Sequence, residues 1–367
     1  MILKDDFSTL FVLLFFVLSF VACIGDWDCA SFDDVKTSLS ESEADDVEAP
    51  SSLYPVEVDG KWGFIDDQGE LVIEPRFEKA FHFSDEMALV EIDDRPRFVD
   101  KSGEVVVDPE VVEVYAFSEG LAPARKQEEG PWGYIDTSGE FAIEPQFEEA
   151  GLFSEGLAVV DTDVETDEAQ KSWGYIDTSG DFVIEAQFYN GRRFSEGLAP
   201  VLVESFVFGQ WGFIDKEGDM IIEPQFEDSQ PFSDGLAAVR VEAEVGAGPW
   251  GYIDTEGEMV IEPDYEWALE FSDGLAPVER MAGTNWMYID REGQRILDLD
   301  YTMLRPFKGE LARAHYAPVG TRTDFVGTSR AGEFIYTVRD GNWAYVDREG
   351  NEIWAPERPD NKEEEGR

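Results

Sequence analysis

Cysteine and histidine are scarce in this chain of 367 residues. The only cysteines are Cys23 and Cys29, so the sequence beyond them contains neither a disulfide framework nor a thiolate metal site. The only histidines are His82 and His315, and neither stands beside a nucleophile signature of the Ser-His-Asp or Cys-His kind. A glycine-rich phosphate loop is also missing from the sequence. We therefore predict no catalytic residues, no metal and no cofactor.

Basic residues are few as well. Lys and Arg together number 28 against 81 Asp and Glu, which leaves a formal net charge of −53. A surface of this sign repels nucleic acid and anionic lipid headgroups, so we expect neither as a partner. The same surface repels itself, and high salt screens that repulsion. The acidity fits a salt-adapted surface; the alternative is binding of divalent cations or of a basic partner.

Long apolar runs are limited to the N-terminus. The segment LFVLLFFVLSFVA at residues 10–22 is too short to span a membrane comfortably and is typical of a signal peptide. It ends in SFVAC, which resembles a bacterial lipoprotein signal in which Cys23 becomes the lipidated residue. Phe20 stands where leucine is usual, and Asp5 and Asp6 weaken the basic start. An ordinary signal peptide or an uncleaved membrane anchor therefore stays open.

These features divide the chain into four segments. They are a signal peptide at 1–22, an acidic flexible tether at 23–52, a folded array at 53–357 and a charged tail at 358–367. We expect an exported protein that is held at the outer membrane, in the periplasm or at the cell surface by lipid on Cys23. The membrane is expected to be contacted only through that anchor.

The folded segment is built from a repeated line of sequence. WGYIDTSGEFAIEPQ begins at Trp132, and WGYIDTSGDFVIEAQ begins at Trp173. The aromatic-x-Asp-x-x-Gly centre of this line occurs eight times, with its aspartates at Asp66, Asp100, Asp136, Asp177, Asp215, Asp254, Asp290 and Asp347. A second line, FSEGLAPV or a close variant, alternates with the first. Repeats at this spacing indicate one repeat array rather than several ordinary domains.

Each repeat has the pattern of strands. Short aromatic and β-branched segments precede and follow a polar joint, and the sequence shows no sustained apolar spacing of three and four residues that would predict a helix. In the joint, Asp136 is followed by Gly139, and Asp177 by Gly180. An Asp that bonds the backbone ahead of it and a Gly at positive φ predict a type I hairpin turn with a glycine bulge. The joint lacks the alternating acidic ligands of a calcium loop.

We therefore predict an all-β protein of about eight three-stranded antiparallel meanders. A single meander cannot bury its apolar face alone, whereas neighbours packed side by side can. The large side chains predicted to fill the core are Trp62, Trp132, Trp173, Trp211, Trp250, Trp286 and Trp343. The Gly after most of them lets a neighbouring backbone approach closely. The array is expected to form a propeller-like ring, and an open β-solenoid is the alternative.

The repeated lines resemble the WG-repeat family, also written KWG repeats. KWGFIDDQGELVIEPRF, WGFIDKEGDMIIEPQF and the alternating FSEGLAPV carry the resemblance, which covers about residues 53–357. Three repeats depart from the pattern: Pro96-Arg97 replaces Trp-Gly, and Met287 and Ala344 replace the glycine after Trp286 and Trp343. The resemblance implies a platform for interactions and brings no catalytic residues with it.

One segment interrupts the repeat. The stretch HYAPVGTRTDFVGTSRAGEF, from His315 to Phe334, lengthens the connection to the last repeat. It carries Tyr316, Arg322, Phe325 and Arg330 on an otherwise acidic body. A long loop of this kind is either surface decoration or a recognition loop, and these four residues are the candidate recognition residues.

Together these features favour a non-catalytic, monomeric, exported repeat protein that acts as a binding platform at the bacterial cell envelope. Its partner would be a protein or a glycan. Two alternatives remain: a glycosidase-like envelope hydrolase that uses carboxylates, and a structural spacer. Several carboxylates gathered around one deep pocket would favour the hydrolase over the binding platform.

The lipid anchor is directly testable. Cys23→Ser removes the acceptor thiol, so protein made in its natural host should move from the detergent phase to the soluble fraction. Each buried methylene of an acyl chain contributes about 0.8 kcal/mol to membrane binding, so the change should be nearly complete. Phase partitioning of both proteins measures it, and unchanged partitioning of the variant would show that lipid on Cys23 is not the anchor.

Overall fold

The computed structural model describes residues 52–162, 172–203, 209–243, 247–280, 286–316 and 342–356. Its contacts divide the chain into Met1–Ala49 and Pro50–Arg367, and all described residues belong to the second unit. Every regular element within these ranges is a β-strand. In this part of the chain, no helix has the length and apolarity needed to cross a membrane. The predicted signal peptide and Cys23 lie outside the described residues.

The strands follow one another as antiparallel meanders, which we number as units 1 to 8. The first three units comprise β1 (Tyr54–Val58), β2 (Lys61–Ile65) and β3 (Leu71–Phe77); β4 (Lys79–Ser84), β5 (Met87–Ile92), β6 (Arg95–Val99) and β7 (Val105–Val107); and β8 (Glu113–Val114), β9 (Leu121–Arg125), β10 (Trp132–Asp136) and β11 (Phe141–Phe147). The next two comprise β12 (Glu149–Ala150), β13 (Ala158–Asp161), β14 (Trp173–Ile176) and β15 (Phe182–Phe188); and β16 (Asn190–Gly191), β17 (Ala199–Leu202), β18 (Trp211–Ile214) and β19 (Met220–Phe226).

Units 6 and 7 form one continuous seven-stranded sheet. It comprises β20 (Asp228–Ser229), β21 (Ala237–Arg240), β22 (Trp250–Ile253), β23 (Met259–Ala268), β24 (Ala276–Arg280), β25 (Trp286–Ile289) and β26 (Arg295–Asp298). Unit 8 comprises β27 (Met303–Leu304), β28 (Ala312–Tyr316), β29 (Asn342–Val346) and β30 (Glu352–Trp354). Units 2 to 8 thus contain the three predicted strands and, before them, a short strand that the sequence pattern does not predict; in unit 7 the end of β23 takes this place.

The burial of each strand follows its place in the meander. The two middle strands of unit 4, β13 and β14, are buried along their whole length. The outer strand β15 alternates between exposed and buried residues, as a strand with one face toward solvent does. The WG line is therefore a central strand, which explains its run of aromatic and β-branched residues.

The glycine after the tryptophan is required by a close backbone contact. A Cβ on Gly133 would lie 2.4 Å from the Ile143 carbonyl oxygen, and one on Gly174 would lie 2.6 Å from the Ile184 carbonyl oxygen. At this point the ladder shifts register, because Trp132 is opposite Phe147 whereas Tyr134 is opposite Ile143. The bulge folds the outer strand over the glycine, and a side chain there would separate the two strands.

Neighbouring units are joined through their outer strands. In β23, Tyr265 pairs with Trp250 of unit 6 and with Arg280 of unit 7, so one strand serves two units. A single residue separates the outer strand from the short strand of the next unit at four junctions, as Glu148 does between β11 and β12, whereas five residues separate β7 from β8 and four separate β26 from β27. The units are therefore successive parts of one bent ladder.

The FSEG line forms the second link between units. In unit 4 it is a two-residue turn in which Glu155 and Gly156 have φ of 56° and 86°, closed by a hydrogen bond from the Ser154 N–H to the Leu157 carbonyl. In units 2 to 6 the acidic side chain of the turn accepts a hydrogen bond from the glycine N–H of the next unit's turn. This occurs at Asp85–Gly120, Glu119–Gly156, Glu155–Gly197, Glu196–Gly235 and Asp234–Gly274. We call these five bonds the turn chain.

The serine of the same turn adds a parallel link. Its hydroxyl donates to the phenylalanine carbonyl of the next unit in the pairs Ser118–Phe153, Ser154–Phe194, Ser233–Phe271 and Ser272–Phe307, at 2.6–2.7 Å. Ser and Glu or Asp in this line therefore connect units, whereas sequence reasoning assigned them only to a turn.

The array closes on itself. The Tyr345 hydroxyl of unit 8 donates to the Pro55 carbonyl of unit 1 at 2.9 Å, and the Tyr54 and Tyr345 rings meet edge to face at 5.4 Å. The Glu310 N–H donates to the Tyr54 hydroxyl at 3.1 Å. Unit 1 and unit 8 share an apolar cluster with Leu311. The predicted ring is confirmed, and the open solenoid is not what the chain forms.

Most of the predicted core tryptophans are buried. Trp132, Trp173, Trp211, Trp250 and Trp286 are at most 7% exposed. Trp62 and Trp343 are only partly buried, and both lie at the junction between unit 8 and unit 1.

A core tryptophan should be essential for stability. Trp211→Ala should lower the free energy of unfolding by about 3–5 kcal/mol, because the surrounding units cannot fill the volume of a buried indole. Val183→Ala, an exposed position on β15, should change it by less than about 0.5 kcal/mol. Urea unfolding of both variants measures the difference. Equal stability of the two variants would contradict the assignment of Trp211 to the core.

Candidate functional site

A cleft of about 240 Å³ opens where unit 8 meets unit 1. Three tryptophans line it, Trp62 from β2, Trp343 from β29 and Trp354 from β30, and each is partly buried. Arg313 of β28 and Glu57 of β1 also face the cleft. It combines flat aromatic surfaces with one cation and two carboxylates, those of Glu57 and Asp59, which is a composition suited to binding.

The cleft exists because unit 1 differs from the other units. In units 2 to 8 a short strand pairs with the strand that follows the FSEG turn, as Ala150 pairs with Val160. The strand of unit 1 in that position is β1, and among the described residues β1 pairs only with β2. The cleft therefore lies where the described part of every other unit has a short strand.

The hydrogen bonds of the tyrosine hydroxyls show the same difference between unit 1 and the other units. The tyrosine of the WG line donates to a carbonyl just after the short strand of the next unit, in the pairs Tyr134–Gly151, Tyr175–Arg192, Tyr252–Leu269 and Tyr288–Arg305. In unit 8 the hydroxyl of Tyr345 donates instead to Pro55, which lies on β1 itself. The Tyr345 hydroxyl thus bonds to β1 directly, whereas in the other pairs the tyrosine hydroxyl bonds next to the short strand.

Cations and aromatic rings contact each other along one wall of the cleft. The guanidinium carbon of Arg313 lies 4.5 Å from the centre of the Trp343 ring, which is a cation–π distance. Burial lowers the pKa of Arg313. His315 meets the edge of the Trp343 ring at 5.0 Å, and its Nδ1 is 2.7 Å from the Thr302 hydroxyl. Burial, assisted by Arg313, lowers the pKa of His315 to about 4, so this imidazole is neutral at pH 7.

A second cavity of about 210 Å³ involves the other histidine. His82 of β4 lines it together with Lys308 and Asp85. Burial and the charges of Lys308, Arg313 and Arg305 lower the pKa of His82 well below its usual value. The two histidines lie in units 2 and 8, and they line different places: His82 lines this cavity, whereas His315 bonds to the Thr302 hydroxyl.

The aspartates of the joint are turn residues, as predicted. Asp177 accepts hydrogen bonds from the N–H groups of Ser179 and Asp181, and Gly180 has a φ of 85°. The bonds from Ser138 lower the pKa of Asp136, and Gly139 has a φ of 86°. In both turns the carboxylate oxygen Oδ1 accepts hydrogen bonds from the residues that follow, which stabilises the turn.

The predicted recognition loop is only partly described. Tyr316 ends β28 and pairs with Asn342, close to the cleft. Arg322, Phe325 and Arg330 lie outside the described residues. Sequence reasoning missed Arg313, Glu57 and Trp354 as site residues. Aligning the units would have found two of them, because Arg313 stands where Pro123 and Pro200 do, and Glu57 stands where Arg125 does.

One carboxyl group in the array has an unusual environment. Burial, reinforced by the charge of Glu266, raises the pKa of Glu279 on β24 to about 7. This residue does not line either of the two cavities. We therefore expect the raised pKa of Glu279 to affect the stability of the folded protein.

The chain was compared with protein families and known proteins. The family model described as "WG containing repeat" matches residues 62–95, 97–128, 132–163, 173–205, 211–243, 250–280 and 286–314, which is more than half of the chain. No curated protein matches the sequence.

Solved structures of similar architecture have little sequence identity. They include prolyl oligopeptidase B from Galerina marginata (9% identity, 84% of this chain and 52% of that chain, TM-score 0.49) and apo AztD from Citrobacter koseri (10% identity, 83% and 93%, TM-score 0.43). Another is an acylaminoacyl peptidase from Pyrococcus horikoshii (14% identity, 72% and 52%, TM-score 0.42). The chain spans about half the length of the first.

The raised pKa of Glu279 predicts a pH effect on stability. The folded protein holds a proton on Glu279 up to a pH of about 7, whereas the unfolded chain releases it near 4.5. The stability that this proton contributes is complete below the unfolded pKa and is lost as the pH rises through about 7. Glu279→Gln should therefore raise the melting temperature at pH 8 relative to the unchanged protein, with a smaller gain at pH 5.

Glu258→Gln is the control, because Glu258 is exposed in a hairpin turn. It should give the same small difference from the unchanged protein at both pH values. A Glu279→Gln effect that does not vary between pH 5 and pH 8 would contradict the raised pKa.

Proposed function

The chain belongs to the WG-containing repeat family, and from that premise we propose that it is a non-catalytic binding protein whose partner docks in the cleft between units 8 and 1. We further propose that it works at the cell envelope, held there by lipid on Cys23. The ring then serves as a rigid scaffold that presents one site.

One observation carries the proposal. Five repeat tryptophans are buried between units, whereas Trp62 and Trp343 are partly exposed on the walls of one cleft. Partly exposed tryptophan is enriched in binding sites because it offers a large, rigid contact surface. The cleft, where the repeat pattern is interrupted, is thus also the place where tryptophan side chains are available for contact with a partner.

The charge around the cleft supports binding rather than hydrolysis. Glu57 and Asp59 are exposed at its rim, and Arg313 stacks on Trp343. The carboxyl group with a strongly raised pKa, Glu279, is in unit 7 and does not line the cleft. The chemistry expected of a carboxylate-based hydrolase is therefore separated from the site that best fits a ligand.

The proposal predicts which variants lose a partner. The array should retain a partner from an envelope extract, and Trp343→Ala should reduce that retention at least tenfold, as the loss of a central aromatic contact does. Glu57→Lys, at an exposed rim position that contributes nothing to the core, should reduce it as well. Quantitative affinity capture followed by mass spectrometry measures both.

Phe81→Ala is the matched control, because Phe81 is an aromatic residue of unit 2 that is 50% exposed and does not line the cleft. It should retain the partner as the unchanged protein does, and the melting temperatures should show that all three variants fold. A partner retained equally by every variant would place binding elsewhere on the ring.

A further inference from the structure

We infer that the cleft receives an extended, basic segment of a protein partner, which adds a fourth strand to unit 1 along β1. This inference rests on the proposed function and names the class of partner. It follows from what the same position contains in units 2 to 8, where the chain supplies its own strand, whereas the described residues of unit 1 supply none there.

The ladder positions on β1 match those that the other units use. In unit 5 the Tyr189 N–H donates to the Leu202 carbonyl at 2.9 Å, and the Arg192 N–H donates to the Pro200 carbonyl at 3.0 Å. Glu57 and Pro55 of β1 stand where Leu202 and Pro200 do. A strand added to unit 1 in the same register would donate two backbone hydrogen bonds, one to the Glu57 carbonyl and one to the Pro55 carbonyl.

The hydroxyl of Tyr345 has a second acceptor once a strand is present. It now donates to the Pro55 carbonyl. The corresponding carbonyl of unit 5, that of Pro200, accepts from a backbone N–H at the end of the short strand. With a strand added, the hydroxyl could donate to a carbonyl of that strand, as Tyr175 does to Arg192. No hydrogen bond is then lost on binding, which favours β-strand addition as the mode of recognition.

An uncharged residue is expected at one position of the added strand. The seven residues that occupy it in units 2 to 8 are Ala80, Val114, Ala150, Gly191, Ser229, Ala268 and Leu304, and all are uncharged. Each stands seven positions before the Leu or Met that directly follows the FSEG turn of its unit, as Gly191 does before Leu198. At the same distance before Leu53 the chain has Asp46. A carboxylate is costly to bury there, so the chain's own sequence does not fit the pattern.

The next residue of the added strand would stack on Trp62. In unit 5 this position is Arg192, whose guanidinium carbon lies 4.6 Å from the centre of the Trp211 ring. In unit 3 it is Tyr115, which stacks on Trp132 at 4.7 Å. Trp62 is the corresponding ring of unit 1, and it is partly exposed on the cleft wall.

Local charge selects arginine for that position. Glu57 and Asp59 are exposed beside the cleft, and the whole chain carries a formal charge of −53. In unit 5 the corresponding Arg192 forms an ion pair with Asp228 of unit 6. The residue of unit 2 that stands in the place of Asp228 is Lys79. The Lys79 ammonium is already paired, because its Nζ lies 2.8 Å from a carboxylate oxygen of Glu91. The partner segment is therefore extended and basic, with an uncharged residue followed by arginine.

The test uses the full-length chain and a fluorescein-labelled peptide with the sequence of residues 189–194, YNGRRF, which the protein itself uses as the first strand of unit 5. Fluorescence anisotropy should show saturable binding. Replacing the first arginine of the peptide with glutamate should weaken binding at least tenfold, and so should Glu57→Lys in the protein. Phe81→Ala should leave the affinity unchanged.

Two N-methylated peptides distinguish a strand from any other bound form. Methylation of the nitrogen that corresponds to Arg192 removes a ladder donor, whereas in an antiparallel ladder the neighbouring glycine N–H points away from β1. The first peptide should bind at least tenfold more weakly than the second. Equal affinities of the two methylated peptides would overturn strand addition.

The remaining outcomes separate this inference from the proposed function. If an envelope partner is lost with Trp343→Ala but the peptide neither binds nor competes, the strand inference is wrong and the proposed function stands. If neither the partner nor the peptide depends on the cleft, both fail. Binding of the peptide only after deletion of residues 24–51 would show that the chain's own segment occupies the edge, which also overturns the inference.

Discussion

The ring depends on hydrogen bonds that each unit can satisfy only with its neighbour. The glutamate of the FSEG turn is held at positive φ, which costs an L-residue about 1–2 kcal/mol, and its carboxylate binds the glycine N–H of the next turn. The serine hydroxyl and the tyrosine hydroxyl also end on the neighbour's carbonyls. A unit alone would leave these groups without partners and its apolar face exposed. The strand β23 adds to this, because it belongs to the ladders of both unit 6 and unit 7.

The junction between units 8 and 1 satisfies the same demands with different residues. Tyr54 supplies both the ring that packs on Tyr345 and the hydroxyl that accepts the Glu310 N–H. In other units a phenylalanine of the FSEG line packs on the corresponding aromatic residue, as Phe153 does on Tyr134. This substitution closes the ring where the described residues of unit 1 include no short strand, and the cleft lies at that place. The candidate site is thus a consequence of how the ring is closed.

Much of the fold follows from local sequence. The hairpin turn of Asp136 and Gly139, the strands around it and the burial of Trp211 are all readable from one repeat, because each depends on residues a few positions apart. The short strands are not readable. Glu149 and Ala150 form a two-residue strand inside a polar stretch, and only pairing with Asp161 and Val160 makes them one. The cleft was missed for the same reason, since it depends on a contact between Pro55 and Tyr345 at opposite ends of the array.

The bonds of the turn chain all run in one direction, because the glycine N–H of each turn donates to the carboxylate of the preceding unit. Each unit therefore has a donor side and an acceptor side, as a subunit of a cyclic homo-oligomer does, and the chain is a head-to-tail ring of tandem copies. In such a ring the angle between neighbours fixes the number of copies that closes it. Gain or loss of one whole copy would leave every internal interface intact and would open the ring. The interface where the first copy meets the last therefore decides whether the ring closes, and Tyr54 makes its contacts.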